Sequence, residues 1–217
     1  MSKYNNSLGK QDLDTNPLVE GEGLILSVKP KKSAYIINRV LTMMPFALLW
    51  LAFDAGFITM FFGASGSFEE MKMMIPFLII FFIFHLFPVW MWLGNVLTAG
   101  KTWQNTKYYV TDKRIIIQSG FIGMNYQTIY YKDIRNVNLR MGMIDKMLGV
   151  GDIYLDIGTI RTQNGTTQNV AILVDLENPQ EIYTKLQKVV LDIQTDIEFP
   201  NAYRPEANPG YKTKYKG

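Results

Sequence analysis

Two apolar runs, residues 40–62 and 73–97, stand almost back to back in this chain of 217 residues, and they constrain everything else it can be. A bilayer core about 30 Å thick takes about 20 apolar residues as a helix, and each run is long enough to cross it. The stretch between them, GASGSFEEMK, has room for a turn and little more. The runs therefore predict a membrane hairpin, with all that precedes it and all that follows it on one side. A cleavable leader is a poor reading of the first run. It starts well into the chain, exceeds the usual apolar region of about 7–15 residues and lacks a small-residue cleavage site.

Basic residues at the ends of the runs give the orientation. Lys29, Lys31, Lys32 and Arg39 precede the first run, and Lys101, Lys107, Lys113 and Arg114 follow the second. The connecting loop holds only Lys72, beside Glu69 and Glu70. The positive-inside rule then places both termini in the cytoplasm and the loop outside. Trp90, Trp92 and Trp103 suit an interfacial aromatic belt, and Pro45, Pro76 and Pro88 predict kinks of the kind spanning helices tolerate.

Composition excludes several functions. A net charge of +3 without a dense basic run gives no reason to expect a nucleic-acid partner. The chain has no cysteine, which removes disulfides, thiolate metal sites and a cysteine nucleophile. His85 is the sole histidine, so no histidine metal cluster exists, and it sits in a span where it serves no cytosolic serine. The acids of the polar region are scattered without a pairing pattern. The chain is not expected to be an enzyme or to hold a cofactor or metal.

Outside the hairpin the periodicity changes. Residues 1–20 are polar and read as a tail, and 23–28 (GLILSV) as a short strand within an N-terminal region 1–35. The hairpin region is 36–100. After it, a period of two predicts strands at 107–111 and 114–119 joined at Asp112-Lys113, then at 126–132, 136–140, 152–158, 160–163 and 168–175. Residues 143–148 predict a helical turn closed by Gly149 and Gly151. That Gly-x-Gly precedes a strand, so it reads as a turn and not a dinucleotide site. Asn164-Gly165 is a strong hairpin signal. Asn178 as cap, Pro179 at the first helical position and Glu181 in a capping-box-like pattern start a helix. Its apolar stripe is Ile182, Leu186, Val189, Val190 and Ile193. Residues 196–217 read as a second tail.

A specific order of residues runs through this region: Trp103, Tyr108, Thr111-Asp112-Lys113-Arg114-Ile115, Gly120, Ile134, Val137, Leu148-Gly149-Val150-Gly151-Asp152-Ile153 and Asn178-Pro179. It resembles the bacterial pleckstrin-homology-like (PH-like) family of membrane proteins, the YdbS/YdbT-like domain, over roughly residues 23–193. The resemblance implies a PH-like domain at 101–195 behind a two-span hairpin: a curled sheet or open barrel of about seven strands plugged by a C-terminal helix. It also implies a bacterial inner-membrane setting. It implies no reaction. Eukaryotic PH domains hold inositol phosphates with basic residues around a long loop between the first two strands. Here that loop reads as Asp112-Lys113 alone, which argues against an inositol pocket.

Three groups are candidate sites. Lys29, Lys31, Lys32, Arg39, Lys101, Lys107 and Arg114 are candidate contacts for anionic headgroups, with roughly 1 kcal/mol available per basic residue near the surface. For Arg114 the competing reading is a structural ion pair with Asp133. Asp54 and His85 lie roughly 12 and 18 Å deep in the two spans at about 1.5 Å per residue, close enough across an antiparallel pair to bond. They are either an intramembrane functional pair or a polar clasp. Met141, Met143, Ile144 and Met147 form a soft apolar patch that either caps the barrel or meets lipid or a partner. The expected function is a membrane-anchored, non-catalytic interaction or assembly module that binds a protein partner, itself or anionic lipid. The alternative is a transporter or enzyme subunit using Asp54 and His85.

Overall fold

The computed structural model describes residues 17–64, 68–162 and 165–198. Most of the two expected tails, part of the loop between the apolar runs, and Asn164 of the expected hairpin lie outside the described residues. The chain divides into two compact units. One joins the segments Met1–Ala34 and Thr102–Gly217; the other is Tyr35–Lys101.

The first unit is mostly β. β1 (Leu24–Val28), β2 (Lys107–Thr111), β3 (Arg114–Ser119) and β4 (Asn125–Tyr130) form an antiparallel sheet in that order. β5 (Asn136–Arg140), β6 (Val150–Thr162) and β7 (Gly165–Glu177) form a second. A short 3-10 turn, Tyr131–Asp133, joins the sheets, and α4 (Met143–Leu148) joins β5 to β6. The predicted β2–β3 hairpin is present, with Val110 opposite Ile115.

Two expectations are corrected. The strand ahead of the apolar runs is not part of a separate N-terminal region: Val28 pairs with Tyr108 and Leu24 with Thr111. Its Leu26 and Val28 pack against the domain core. The connection between the first two strands is therefore residues 29–106, the whole apolar segment, and Asp112-Lys113 is the second hairpin. A short first loop is thus no longer a ground against an inositol pocket. The segments 152–158 and 160–163 are one strand, β6, whose register slips between Asp156 and Thr159. Gly158 sits there at φ 99°, with the Arg135 guanidinium 3.1 Å from where a Cβ would be. A glycine bulge bends a strand without ending it.

The core is made by the inward faces of both sheets: Tyr108, Val110, Ile115, Ile129, Ile153, Leu155 and Leu173 are all 2% exposed or less. Burying such a side chain fully is worth about 1.5–3 kcal/mol. α5 (Pro179–Glu198) closes the open side with Leu186, Val190 and Ile193, the stripe expected from sequence. Gln194 fixes it, donating to the carbonyls of Tyr131 and Ile134 at 2.9 and 2.7 Å. The helix start differs in detail. Asn178 has φ 48° and its backbone carbonyl accepts from the Glu181 and Ile182 amides. Glu181 pairs with Lys185 at 2.6 Å instead of closing a capping box.

The second unit holds most of three helices: α1 (Lys32–Ala64), α2 (Phe68–His85) and α3 (Phe87–Asn105). α1 runs through Pro45 unbroken. The second run is two helices, bent by 55° at Leu86. Pro88 lacks an amide hydrogen, which weakens the ladder there. Two tryptophans serve carbonyls at the break: Trp50 Nε1 donates to His85 O and Trp90 Nε1 to Ile83 O, both at 2.9 Å. Trp92 Nε1 and Asn95 Nδ2 reach across to the carbonyls of Val40 and Arg39. The segment Lys32–Phe61 is long and apolar enough to cross a membrane, and the bent pair Met74–His85 and Phe87–Asn105 passes the same test together. Large apolar side chains stand exposed along these helices, among them Leu49, Phe53, Met60, Phe77 and Phe84.

Candidate functional site

The basic residues of the β unit separate into two places, and Arg39 and Lys101 lie in the helical unit. At one end of the four-stranded sheet, β1 stops at Val28 and β2 starts at Lys107, the points where the chain leaves for the helical unit and comes back. Pro30 breaks the strand, and its carbonyl accepts a 2.8 Å bond from Trp103 Nε1. That bond sets the indole as a platform. Lys29 Nζ lies 4.2 Å and Lys32 Nζ 5.3 Å from the ring centroid, and Lys29 also donates to Gln104 O at 3.0 Å. Lys107 Nζ lies 5.0 Å over the Tyr109 ring. Lys31 donates to Leu148 O at 3.0 Å, with Glu177 Oε1 3.6 Å away. Burial first, and then the charge of Lys107, hold the Lys29 ammonium below its ordinary value. Lys29, Lys32 and Lys107 are thus held by aromatic faces and a carbonyl. These contacts orient a cation without neutralising it, whereas Lys31 also faces the Glu177 carboxylate.

Arg114 stands at the other end. Lys107 and Thr111 bracket β2, roughly 13 Å apart at about 3.3 Å per residue. The Arg114 guanidinium takes Glu22 in a fork: Nε to Oε1 and Nη2 to Oε2, each 3.0 Å. The Thr111 hydroxyl also donates to Glu22 Oε1 at 2.7 Å, and the Glu22 side chain is 1% exposed. Burial acts to raise the Glu22 carboxyl. The bonds from Arg114, the Val19 amide and Thr111 outweigh it and hold the group below its ordinary value. The expected partner, Asp133, is replaced by Glu22, because β1 brings the residue just before it alongside β2. Arg114 is a structural cation here and does not join the lysine cluster. Arg39, over the Tyr35 ring at 5.2 Å, and Lys101 belong to the helical unit.

The methionine patch divides. Met143 and Met147 on α4 are each 83% exposed and Ile144 41%. Met141 is half-buried, with its Cγ 2.9 Å from where a Cβ on Gly151 would stand. A second exposed apolar tip was not anticipated from sequence. The β3–β4 loop presents Phe121, Ile122 and Met124, with Ile122 at 88% exposure. Gly120 makes this turn possible: at φ 154°, a Cβ there would sit 1.9 Å from Gly123 O. The pair Gly120 and Gly123 around two large apolar residues was the available signal.

In the helical unit, His85 Nε2 lies 3.0 Å from Asp54 Oδ1. The expected proximity is present, at ion-pair distance but without an aligned hydrogen bond, and Asp54 Oδ2 has no hydrogen-bond partner. His85 stacks on Phe81 at 4.8 Å and tilts against Trp50 at 5.1 Å. Among the described residues no group of histidine, cysteine or carboxylate side chains is arranged to hold a metal ion.

No curated protein and no solved structure matches the chain. Residues 46–190 match the family described as Bacterial PH domain, a span that begins within α1 and ends within α5. With two sheets of four and three strands, a closing C-terminal helix and that match over most of its length, the chain belongs to the bacterial PH domain family.

Proposed function

We propose that this chain is a membrane-anchored, non-catalytic interaction module. In this reading its two apolar runs cross the bacterial inner membrane, both termini are cytoplasmic, and the β unit binds a protein partner, a second copy of itself or anionic headgroups. One observation carries the reading: the apolar segment is the connection between β1 and β2. A hairpin placed there ties the β unit to the bilayer by two strands, and its lysine-rich end is the tethered end. Family membership supports an interaction role, since PH domains are generally non-catalytic. Anionic lipid attracts basic residues held within a Debye length of the surface.

The absence of cysteine makes the test direct. Ser7→Cys, Ser65→Cys and Thr213→Cys are each probed with a membrane-impermeant maleimide on whole cells, then after lysis. Labelling of Ser65→Cys from outside, with the other two protected until lysis, is expected. Extraction of the protein by alkaline carbonate overturns the anchoring.

The Asp54–His85 contact favours a second reading, a transporter or enzyme subunit using that pair. Asp54→Asn and His85→Gln that insert and fold normally while abolishing a cellular phenotype of the deletion support it. Unchanged phenotype with lowered thermal stability assigns the pair as a clasp.

A further inference from the structure

The two exposed apolar tips and the lysine cluster are parts of one rim. Asn105 Nδ2 donates to Gly120 O at 3.2 Å and Gln118 Nε2 to Asn105 O at 3.3 Å, which pins the β3–β4 loop beside the end of α3. Gln104, the preceding residue, receives Lys29, and Lys31 reaches Leu148 at the end of α4. The contacts run in order from the Ile122 tip, through Asn105, Gln104, Lys29 and Lys31, to the tip of Met143, Ile144 and Met147. Single exposed apolar side chains need no explanation. Here they gather as two projections flanking a cationic rim, at the end of the unit where the chain enters the apolar helices.

We infer that the β3–β4 loop and α4 insert their apolar tips into the headgroup boundary of an anionic bilayer, while Lys29, Lys32 and Lys107 lie at its phosphates. This rests on the anchoring proposed above and adds to it: the β unit docks on the surface in one orientation instead of swinging on its tethers. The occupant is lipid for two reasons. The rim is continuous with the segments that carry the chain into its apolar helices. It also sets large apolar tips on either side of a lysine cluster, the combination that binds interfacially. The acidic residue on α4, Asp145, is turned to the Gly142 amide at 2.8 Å.

The test uses the full chain reconstituted in vesicles of phosphatidylcholine with or without phosphatidylglycerol. Ile122→Cys, Met143→Cys and Lys113→Cys, the last on the hairpin at the far end of β2, each carry an environment-sensitive fluorophore. Flotation is scored first. Expected are blue-shifted emission and quenching by brominated lipid at 122 and 143, stronger with phosphatidylglycerol, and water-like emission at 113. Floated protein whose labels at 122 and 143 are as water-exposed as that at 113 overturns docking and leaves the anchoring intact. Blue-shifted emission that brominated lipid fails to quench means a second copy covers the tips, and overturns it too. Protein that does not float overturns both readings.

Discussion

The two ends of the four-stranded sheet treat positive charge in opposite ways. At the Arg114 end, the cation meets a carboxylate that is almost fully buried, with a forked bond, a threonine hydroxyl and a backbone amide completing the shell. At the lysine end, the cations rest on Trp103 and Tyr109 rings and on carbonyl oxygens. A buried carboxylate depends on its cation, whereas an aromatic face places a cation and leaves its field intact. The first arrangement contributes to folding. The second places its cations without a carboxylate in those contacts, and that difference separates a structural end from the end proposed above to meet lipid, within strands of five or six residues.

The contrast is broken most forcefully at its structural end. Arg114→Met leaves Glu22 charged and buried without its partner and is expected to cost roughly 3–5 kcal/mol, read as a lower urea midpoint of the detergent-solubilised chain. An unchanged midpoint would mean the pair is not structural. The same end has a pH signature. The folded Glu22 carboxyl lies below its ordinary 4.5, so its contribution is complete above 4.5 and is lost as pH falls through the lowered folded value. Glu22→Gln should flatten that acid limb of the stability curve.

At the lysine end, proposed above to face lipid, the largest expected effect falls on lipid. Replacing Lys29, Lys32 and Lys107 together by Gln should remove roughly 1 kcal/mol of attraction per residue, seen as less phosphatidylglycerol co-purifying with the chain at low salt. Equal retention would show that the cluster does not select anionic lipid. Trp103→Phe keeps a ring under the lysines and deletes the bond to Pro30, a loss of about 1 kcal/mol by thermal denaturation. The smallest effect sharpens the comparison most. Lys29→Met is expected to change stability by no more than about 0.5 kcal/mol near neutral pH, as surface substitutions do. The folded Lys29 ammonium titrates below its ordinary 10.5, so its charge carries a folding cost at neutral pH. That cost is relieved as pH rises through the window that ends at 10.5. A cation whose charge is opposed by burial and is nevertheless placed on an aromatic platform is the opposite of Arg114.

How much of this was legible in the sequence depended on distance along the chain. The β2–β3 hairpin, the α5 stripe and the apolar runs are local patterns, set by side chains two to four residues apart, and each stands where the periodicity puts it. The PH-like family was legible as a resemblance carried by the motif residues between Trp103 and Pro179, and the family match agrees with it. Arg114 was legible as a structural cation, but its partner was not. Glu22 comes alongside only after β1 has paired with β2, across the whole apolar segment. The Ile122 tip was missed because Gly120 was read only as the end of the strand 114–119, and Phe121-Ile122 lie in the connection beyond it. Only the tight turn at Gly120 turns those side chains outward.

By itself the sequence determined most element types and the apolar segment, because these follow from short-range periodicity and composition, and its motif residues carried the resemblance that the family match bears out. Tertiary structure alone decided that the strand before the apolar segment is the first strand of the sheet, and so that the segment is an insertion between β1 and β2. It also decided which cations are neutralised and which are left in play. Strand pairing across a long connection has no local signature. It is settled by which apolar faces close the core together, and the charges at the two ends of the sheet take their partners from that closure.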